Sequence, residues 1–350
     1  MADQPVRPPR KRALMNSKKF PRDVGVYRVD GGELERIERL VARVRKQFAT
    51  ASDTDFLFHA ASLATGLPDG LVDFLRSFEL HETTAGVVVS GLPVDDEAIG
   101  PTPPHWSQQP QPSSTVREEV FFVLLAALLG EPFGWSTLQS GRIIHDVLPV
   151  RGEETAQSGH GSSDLLEWHT EDGFHPFRCD YLGLMALRNP TGVATTFAGV
   201  GNLVLPAEVT EVLQQPRFLI RPDTEHLRTG PAGSSVHDIA ARTSPVPVLF
   251  GSRTEPYLRI DPYFMDAVPG DPDATQALKC VVAALEADLE DLVLDPGEVA
   301  FVDNYRAVHG RRPFEARYDG TDRWLKKVVV ARDLRKSREL RSSARSRVVA

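Results

Sequence analysis

The motif Trp168-His-Thr-Glu171 limits the possible folds of this chain most strongly when it is combined with a distant histidine, His309. Side chains two positions apart in a strand project to the same side, so His169 and Glu171 can bind one ion together. Two imidazoles and one carboxylate form the ligand set that holds ferrous iron on one face and leaves other positions open. The third ligand has to return on a distant strand, and the apolar run 299–303 before His309 predicts that strand.

The same residues admit two other interpretations. A buried histidine bonded to a neighbouring carboxylate accounts equally well for the isolated His169-Thr-Glu171 triplet. A zinc hydrolase can use the same ligand types, although the chain contains no His-Glu-x-x-His helix. The motif therefore identifies a candidate metal site without fixing its chemistry.

Apolar periodicity predicts a helical N-terminal part and a β-rich remainder. Apolar residues recur at helical spacing over residues 32–48, and residues 116–129 form a longer apolar helix. The Pro- and Gln-rich stretch 100–113 is an irregular connector. From Phe133 onward short strands alternate with turns, which is typical of a β-sandwich or barrel.

The chain is long enough for one elaborated domain. At 350 residues and 41% hydrophobic content it can bury a substantial core. We expect a single domain over residues 25–340, with the helical part at about 25–130 and the β core at about 131–335.

Three polar segments are predicted to lie outside the core. Residues 1–24 are basic and poor in apolar side chains, which predicts a mobile tail. Residues 341–350 form a second tail. The stretch 222–244 is unusually long for a connection within a compact domain and is a candidate lid.

Charge and composition exclude several classes of partner. The net charge of −8 and the lack of a basic stripe with interleaved aromatic residues argue against nucleic acid. No apolar stretch approaches the length that spans a bilayer, and no signal-peptide core is present, so we expect no membrane partner. Cys179 and Cys280 are too few for a disulfide framework, and a reducing compartment also suits ferrous iron. We therefore expect a cytoplasmic protein of undetermined oligomeric state.

A further charged residue follows His309. Arg323 precedes the apolar strand 328–331, and a guanidinium pairs with a carboxylate through two parallel bonds, as the far end of a dicarboxylate co-substrate requires. With these residues the chain resembles the clavaminate-synthase-like branch of the iron(II)- and 2-oxoglutarate-dependent oxygenases, and within it the amino-acid hydroxylases of the arginine β-hydroxylase type. The matching segments cover roughly residues 40–340 and are Phe133–Trp135, Gly141–Pro149, Trp168–Asp172, Asp180–Leu184, Leu187–Thr196, Phe218–Pro222, and Ala307–Arg311 through Trp324.

The resemblance implies both a fold and an activity. The fold would be mainly β with flanking helices around a double-stranded β-helix, the cupin-like jelly roll. The activity would be that of a dioxygenase that uses Fe(II), 2-oxoglutarate and O2 to hydroxylate C3 or C4 of a free basic L-amino acid in natural-product or peptide antibiotic biosynthesis. Arginine or a guanidino relative is the expected substrate, followed by lysine. A neutral substrate such as citrulline, a carrier-tethered amino acid, desaturation or cyclisation, and a non-catalytic jelly-roll binding module stay open as alternatives.

The resemblance also assigns roles to residues. His169, Glu171 and His309 are the implied iron ligands and catalytic centre. Arg323 and Thr196 would share the far carboxylate of 2-oxoglutarate.

For the amino-acid substrate, the resemblance implies that Glu171 also faces the amino group and that Asp261 contacts a cationic side chain. A buried aspartate needs a partner, and a substrate cation can supply one. An internal ion pair of Asp261 with Arg259 or Arg253 is the alternative.

Three positions depart from the arginine hydroxylases. Tyr263 replaces a second aspartate, and Lys327 replaces an arginine that binds the substrate carboxylate. Lysine can still pair with a carboxylate, but as a point charge without the bidentate fork. A glutamine that holds the amino-acid backbone aligns with Leu138 or, if the register shifts by one residue, with Gln139. These differences leave the identity of the side chain open.

Four other conspicuous residues have simpler interpretations. His175 is expected to support the site or lie at the surface, and His145 to be a hydrogen-bonded strand residue. Trp168 and Trp324 are expected to pack in the core.

Overall fold

The chain begins with helices and continues mainly as short strands, as the sequence predicts. The computed structural model describes residues 18–109, 113–229 and 234–350. The helices are α1 (Gly31–Gln47), α2 (Thr54–Ala64), α3 (Asp69–His81), α4 (Asp96–Ile99), α5 (Val116–Leu129), α6 (Ala207–Leu213), α7 (Thr224–Thr229), α8 (Ser235–Ala241) and α9 (Pro272–Asp288). Short 3-10 helices lie at Trp106–Gln108, Gln139–Gly141, Val200–Asn202 and Leu334–Leu340.

The strands carry the functional part of the chain. They are β1 (Val24–Arg28), β2 (Gly86–Ser90), β3 (Glu131–Trp135), β4 (His145–Val147), β5 (Leu166–His169), β6 (Tyr181–Arg188), β7 (Ala194–Gly199), β8 (Phe218–Ile220), β9 (Leu249–Gly251), β10 (Pro256–Leu258), β11 (Met265–Ala267), β12 (Glu290–Val293), β13 (Val299–Asp303), β14 (Ala307–Arg311), β15 (Trp324–Ala331) and β16 (Val348–Val349).

The predicted helices over residues 32–48 and 116–129 are confirmed as α1 and α5. A capping box begins α1: Glu33 N donates to Asp30 Oδ1 at 2.8 Å, and Asp30 N donates to Glu33 Oε2 at 3.1 Å. Helix α5 is apolar on every side because α1, α2 and α3 pack around it while the strands β3, β6 and β15 lie against it. The helical part therefore supports one face of a sheet.

Two sheets form the β core. The larger has eight strands in the order β1-β2-β13-β6-β15-β3-β16, with β4 paired to β15, and the smaller has the order β12-β7-β14-β5. Phe133 and Leu184 of the larger sheet pack with Phe197 of the smaller sheet in one apolar cluster. Helix α9 packs against β7. The predicted fold, a mainly β jelly roll with flanking helices, is confirmed.

Strand pairing returns the distant histidine to the motif. Strand β14 pairs antiparallel with both β5 and β7, and His309 lies opposite His169 in the first of these pairings. The third ligand therefore arrives through sheet pairing, as the spacing of the motif requires.

The predicted C-terminal tail is wrong. Strand β16 pairs parallel with β3, where Ser136 N donates to the Val349 carbonyl at 2.8 Å, and Val349 is buried. An edge strand has unpaired backbone groups, and the end of the chain satisfies those of β3.

The predicted N-terminal tail is too long. Residues 1–17 lie outside the described residues, but Lys18 Nζ is 2.8 Å from Asp295 Oδ2, and β1 begins at Val24. The end of the predicted tail is thus held by ion pairs and a strand.

The predicted lid region, 222–244, contains α7 and α8 on either side of the undescribed residues 230–233. Within the described residues, no helix combines the length and the apolar character that crossing a membrane requires.

Candidate active site

The structure brings the three predicted metal ligands together. His309 Nε2 lies 3.2 Å from Glu171 Oε2, and His169 Nε2 lies 3.9 Å from the same oxygen. One ligand atom from each residue falls within 4.8 Å of the others. Such convergence of two imidazoles and one carboxylate fits a single divalent ion.

Hydrogen bonds to neighbouring groups orient these ligands. His169 Nδ1 donates to the Glu167 carbonyl at 2.8 Å, which directs the other ring nitrogen into the site. Asn304 Oδ1 accepts from the Glu171 backbone N–H at 2.7 Å, and Asn304 Nδ2 donates to the Glu171 carbonyl at 2.9 Å. The sequence analysis missed Asn304, since an asparagine in a turn carries no signal of a partner more than a hundred residues away.

The protonation states of the ligands also suit a metal. Burial opposes ionisation of Glu171, but the charge of Lys327 and the His309 hydrogen bond outweigh it and hold the Glu171 pKa well below its usual range. Burial lowers the pKa of His309, although Glu171 opposes that shift. A carboxylate anion and a neutral imidazole are the forms that bind metal, so the cluster fits ferrous iron.

A cavity of about 100 Å³ extends from this cluster between the two sheets. Residues at every second position of one stretch, Arg323, Leu325 and Lys327, line it because alternate side chains of a strand share a face. Leu182 and Leu184 of the neighbouring strand β6 lie beside them. The smaller sheet contributes Thr195, His309 and Arg311.

Arg323 is a buried cation without a counter-ion among the residues that the structure describes. Its Nε has no hydrogen-bond partner, and its guanidinium forms no ion pair with any residue that the structure describes. Burial, with a smaller contribution from the nearby charge of Arg311, lowers the Arg323 pKa to about 9. A buried guanidinium needs an anion, so this end of the cavity fits a carboxylate.

The predicted hydroxyl partner, Thr196, does not line this cavity, whereas the adjacent Thr195 does. Thr195 lines the cavity and lies opposite Arg311 in the β7–β14 pairing, whereas Thr196 lies opposite Gly310. Side chains alternate between the faces of a strand, so only one of the two threonines can face Arg323. The absence of a side chain at Gly310 makes room for Thr196, whose Oγ1 would be 2.7 Å from an added Cβ.

Lys327 directly contacts Glu171, one of the three candidate metal ligands. Its Nζ lies 2.7 Å from Glu171 Oε1, while the two histidines approach Oε2. Burial acts to lower the Lys327 pKa, but the Glu171 charge raises it overall, so the side chain is an ammonium. It therefore presents a fixed positive charge beside the candidate iron site.

A second, smaller cavity adjoins His169 and Glu171 and contains the predicted side-chain contacts. Asp261 and Tyr263 both line it. Asp261 Oδ1 accepts from the backbone N–H groups of Tyr263 and Phe264, each at 3.1 Å. Burial raises the pKa of Asp261, against the effect of His169.

The alternative internal ion pair of Asp261 is absent from the described residues. Arg259 lies over the Phe250 ring at 5.8 Å, and Arg253 lines a separate surface cleft. The Asp261 carboxylate is thus left facing the cavity beside the metal cluster.

The two candidate positions for the missing glutamine have different surroundings. Leu138 lines the main cavity. Gln139 Nε2 donates to the Asp146 carbonyl at 2.9 Å, and its Oε1 accepts from Asp146 N at 3.1 Å. Gln139 is therefore engaged in a backbone clamp, and Leu138 is the residue that a ligand would meet.

Two acidic residues of the lid region also line the cavities, and the sequence analysis missed both. Asp223 borders both cavities and Glu225 borders the larger one. Acidic side chains in a long polar stretch were the available signal, but many exposed loops share that composition.

The four simpler interpretations agree with the structure. His145 lies in β4, and its Nε2 donates to the Arg142 carbonyl at 3.0 Å. His175 is buried against the Trp135 ring at 4.5 Å and is not one of the described residues that could hold a metal together. Trp168 and Trp324 are buried in separate apolar clusters.

Three side chains that can hold one metal ion and a buried arginine that can bind an anion, both in one jelly-roll cavity, define the class of iron(II)- and 2-oxoglutarate-dependent oxygenases. Residues 111–329 match the model of the family described as taurine catabolism dioxygenase TauD, TfdA family. The chain belongs to this family.

Relatives and solved structures narrow the resemblance. The chain is 44% identical to enduracididine beta-hydroxylase of Streptomyces hygroscopicus, over 91% of this chain and 97% of that protein. It is 41% identical to an L-ornithine/L-arginine 3-hydroxylase of Catenulispora acidiphila, over 89% and 95% of the two chains. The non-heme iron oxygenase OrfP, solved with Fe, succinate and (3S)-hydroxy-L-Arg, superposes with a TM-score of 0.89 at 42% identity, covering 93% of this chain and 99% of OrfP. The resemblance to arginine β-hydroxylase-type enzymes is confirmed.

Proposed function

We propose that this protein hydroxylates C3 of a free basic L-amino acid with iron(II), 2-oxoglutarate and O2. The observation that carries the proposal is the position of the charged side chains in the site. Arg323, a buried guanidinium that forms no ion pair within the described residues, lines the cavity that contains the candidate iron ligands. Asp223 and Glu225 of the lid border the same cavity, and Asp261 lines the smaller cavity beside it. The first arrangement suits an anionic co-substrate and the second suits a cationic side chain.

The chain supplies binding and orientation, while the cofactor carries the oxidation. Bound iron and 2-oxoglutarate would convert O2 into an oxidant able to insert oxygen into a C–H bond, with succinate and carbon dioxide as by-products. His169, Glu171 and His309 would hold the iron. Arg323 with Thr195 would bind the far carboxylate of 2-oxoglutarate.

On the amino-acid side, Lys327 would pair with the substrate carboxylate and Glu171 would accept from its amino group. Asp261 and Asp223 would face the side-chain cation in the smaller cavity. Holding a substrate at both ends fixes which carbon faces the iron, and closure over it excludes water.

The relatives support a guanidino substrate. The names of the two curated relatives are those of hydroxylases of enduracididine and of ornithine or arginine. OrfP has been solved with L-Arg and with L-homoarginine. Tyr263, which is 55% exposed beside Asp261, leaves one carboxylate fewer at this position than the arginine hydroxylases have. Natural-product biosynthesis is the setting that we propose for the reaction.

The deciding experiment is a panel of free amino acids incubated with Fe(II) and 2-oxoglutarate. The panel contains arginine, homoarginine, a cyclic guanidino amino acid, ornithine, lysine and citrulline. We expect one guanidino member to gain one oxygen atom, with stoichiometric succinate and the new hydroxyl at C3 by NMR. Binding without product would support a non-catalytic module instead, and preferential turnover of citrulline would overturn the basic-substrate assignment.

Asp261→Asn should lower kcat/KM for the preferred cationic amino acid by roughly tenfold or more, because a hydrogen bond between charged partners is worth about 1.5–3 kcal/mol. The effect on citrulline should be much smaller, since a neutral ureido group loses no charge pairing. Tyr263→Asp should shift preference toward arginine. Equal losses of kcat/KM for arginine and citrulline in the Asp261→Asn variant would show that Asp261 does not recognise the charge of the substrate side chain.

A further inference from the structure

One lid histidine is buried far more deeply than its polar segment suggests. His226 lies in α7 and has no exposed surface, whereas its neighbour Leu227 is 37% exposed. Its Nε2 is 2.9 Å from Asp172 Oδ1, and its Nδ1 is 2.5 Å from Thr137 Oγ1. A polar side chain with partners on both ring nitrogens inside the protein indicates a specific docking contact.

The side chains that contact His226 belong to the protein core. Trp135 Nε1 donates to Asp172 Oδ2 at 2.6 Å, so His226 and Trp135 together engage both oxygens of this carboxylate. The His226 ring also packs edge-on against Phe174 and Trp135, with centroid distances of 5.1 and 5.9 Å. If His226 were displaced, a buried carboxylate would lose a charge-assisted partner, which is costly.

The docked histidine sets the position of the lid carboxylates. His226 N donates to Asp223 Oδ1 at 2.9 Å at the start of α7. Asp223 and Glu225, immediately before His226, line the cavities beside the candidate iron ligands. Because α7 has only six residues, one anchored side chain fixes where both carboxylates lie.

We propose that His226 is a positioning residue: by docking on Asp172, Trp135 and Thr137 it holds Asp223 and Glu225 of the lid against the amino-acid pocket. The inference rests on the proposed function for the identity of the ligand. It differs from the roles of the candidate iron and 2-oxoglutarate residues, because His226 itself borders neither cavity.

The test compares His226→Phe with the wild type. Phenylalanine keeps the ring packing and removes both hydrogen bonds. We expect the KM for the amino acid to rise roughly tenfold, the size expected for losing a bond to a charged group. The KM for 2-oxoglutarate should stay unchanged, and succinate should form in excess over hydroxylated amino acid, since the substrate is held less firmly.

A second measurement does not depend on turnover. Trypsin can cleave after the exposed residues Arg228 and Arg242, which lie in the lid. With the lid undocked, cleavage at these sites should be several-fold faster in His226→Phe than in the wild type, while cleavage elsewhere is unchanged. Should the wild type hydroxylate no amino acid, the proposed function fails, yet this comparison still tests the docking.

His237→Asn is the matched control. His237 lies in α8 of the same segment and has a local contact of 2.8 Å between its Nδ1 and Ser234 Oγ, so its loss should leave all readouts near wild type. His226→Asn, which can retain one hydrogen bond, should give an intermediate effect and carries the test if His226→Phe does not fold. A folded His226 variant with unchanged amino-acid KM, coupling and lid cleavage would overturn the proposal.

Discussion

His309→Ala is expected to abolish succinate formation and to remove most of the iron binding while leaving the protein folded. His309 supplies one of the three converging ligand atoms, and no other described side chain completes that cluster with His169 and Glu171. A ligand on the strand β14 contributes mainly to metal binding, because the strand itself is held by pairing with both β5 and β7.

The measurement is bound iron per protein after reconstitution, together with succinate release and the thermal midpoint. His59→Ala, at an exposed helical position far from the described cluster, is the matched histidine control and should behave as wild type. Full iron content with full activity in His309→Ala would disprove the assigned ligand set.

Arg323→Ala should raise the KM for 2-oxoglutarate by about 30-fold or more, since truncating one partner of a buried charge pair costs roughly 2–5 kcal/mol. Arg323→Lys should recover only part of the loss, because an ammonium lacks the bidentate fork. Amino-acid KM should change much less. A 2-oxoglutarate titration that matches wild type would mean that Arg323 is structural and that the co-substrate carboxylate binds elsewhere.

Two adjacent threonines provide a matched pair within the same experiment. Thr195→Val removes a hydroxyl that lines the cavity and should raise the KM for 2-oxoglutarate several-fold. Thr196→Val makes the same chemical change on the opposite face of β7, beside Gly310, and should leave that KM unchanged. The reverse pattern would restore Thr196 as the co-substrate residue.

Local signals in the sequence were sufficient to predict two of the helices and the types of residue that form the candidate metal site. Helical periodicity located α1 and α5. Apolar residues form one stripe along α1 and cover nearly all of α5, and either pattern can be recognised within a few turns of sequence. The His169-Thr-Glu171 spacing placed two ligands on one side of a short strand. The guanidinium of Arg323 pointed to an anion, and the structure leaves this side chain without a protein counter-ion among the described residues.

Errors arose where the answer depended on pairing between distant strands. The choice between Thr195 and Thr196 is a question of which face of β7 meets the cavity, and the β7–β14 register decides it. A shift of one residue exchanges the faces, and two neighbouring threonines give no local indication of which one is inside. The predicted C-terminal tail failed in the same way, because Val348–Val349 becomes a strand only by joining the edge at β3.

The sequence by itself determined which chemical groups this protein offers: two histidines and a glutamate suited to iron, and an arginine suited to a carboxylate. Through the family resemblance it also predicted the jelly roll that brings these groups together. Tertiary structure alone decided that Thr195 lines the same cavity as Arg323, that Lys327 contacts Glu171, and that His226 is buried against Asp172. The physical reason is that residue type and local periodicity act over a few positions. Burial, charge pairing and strand register arise only when segments far apart in the chain are packed together.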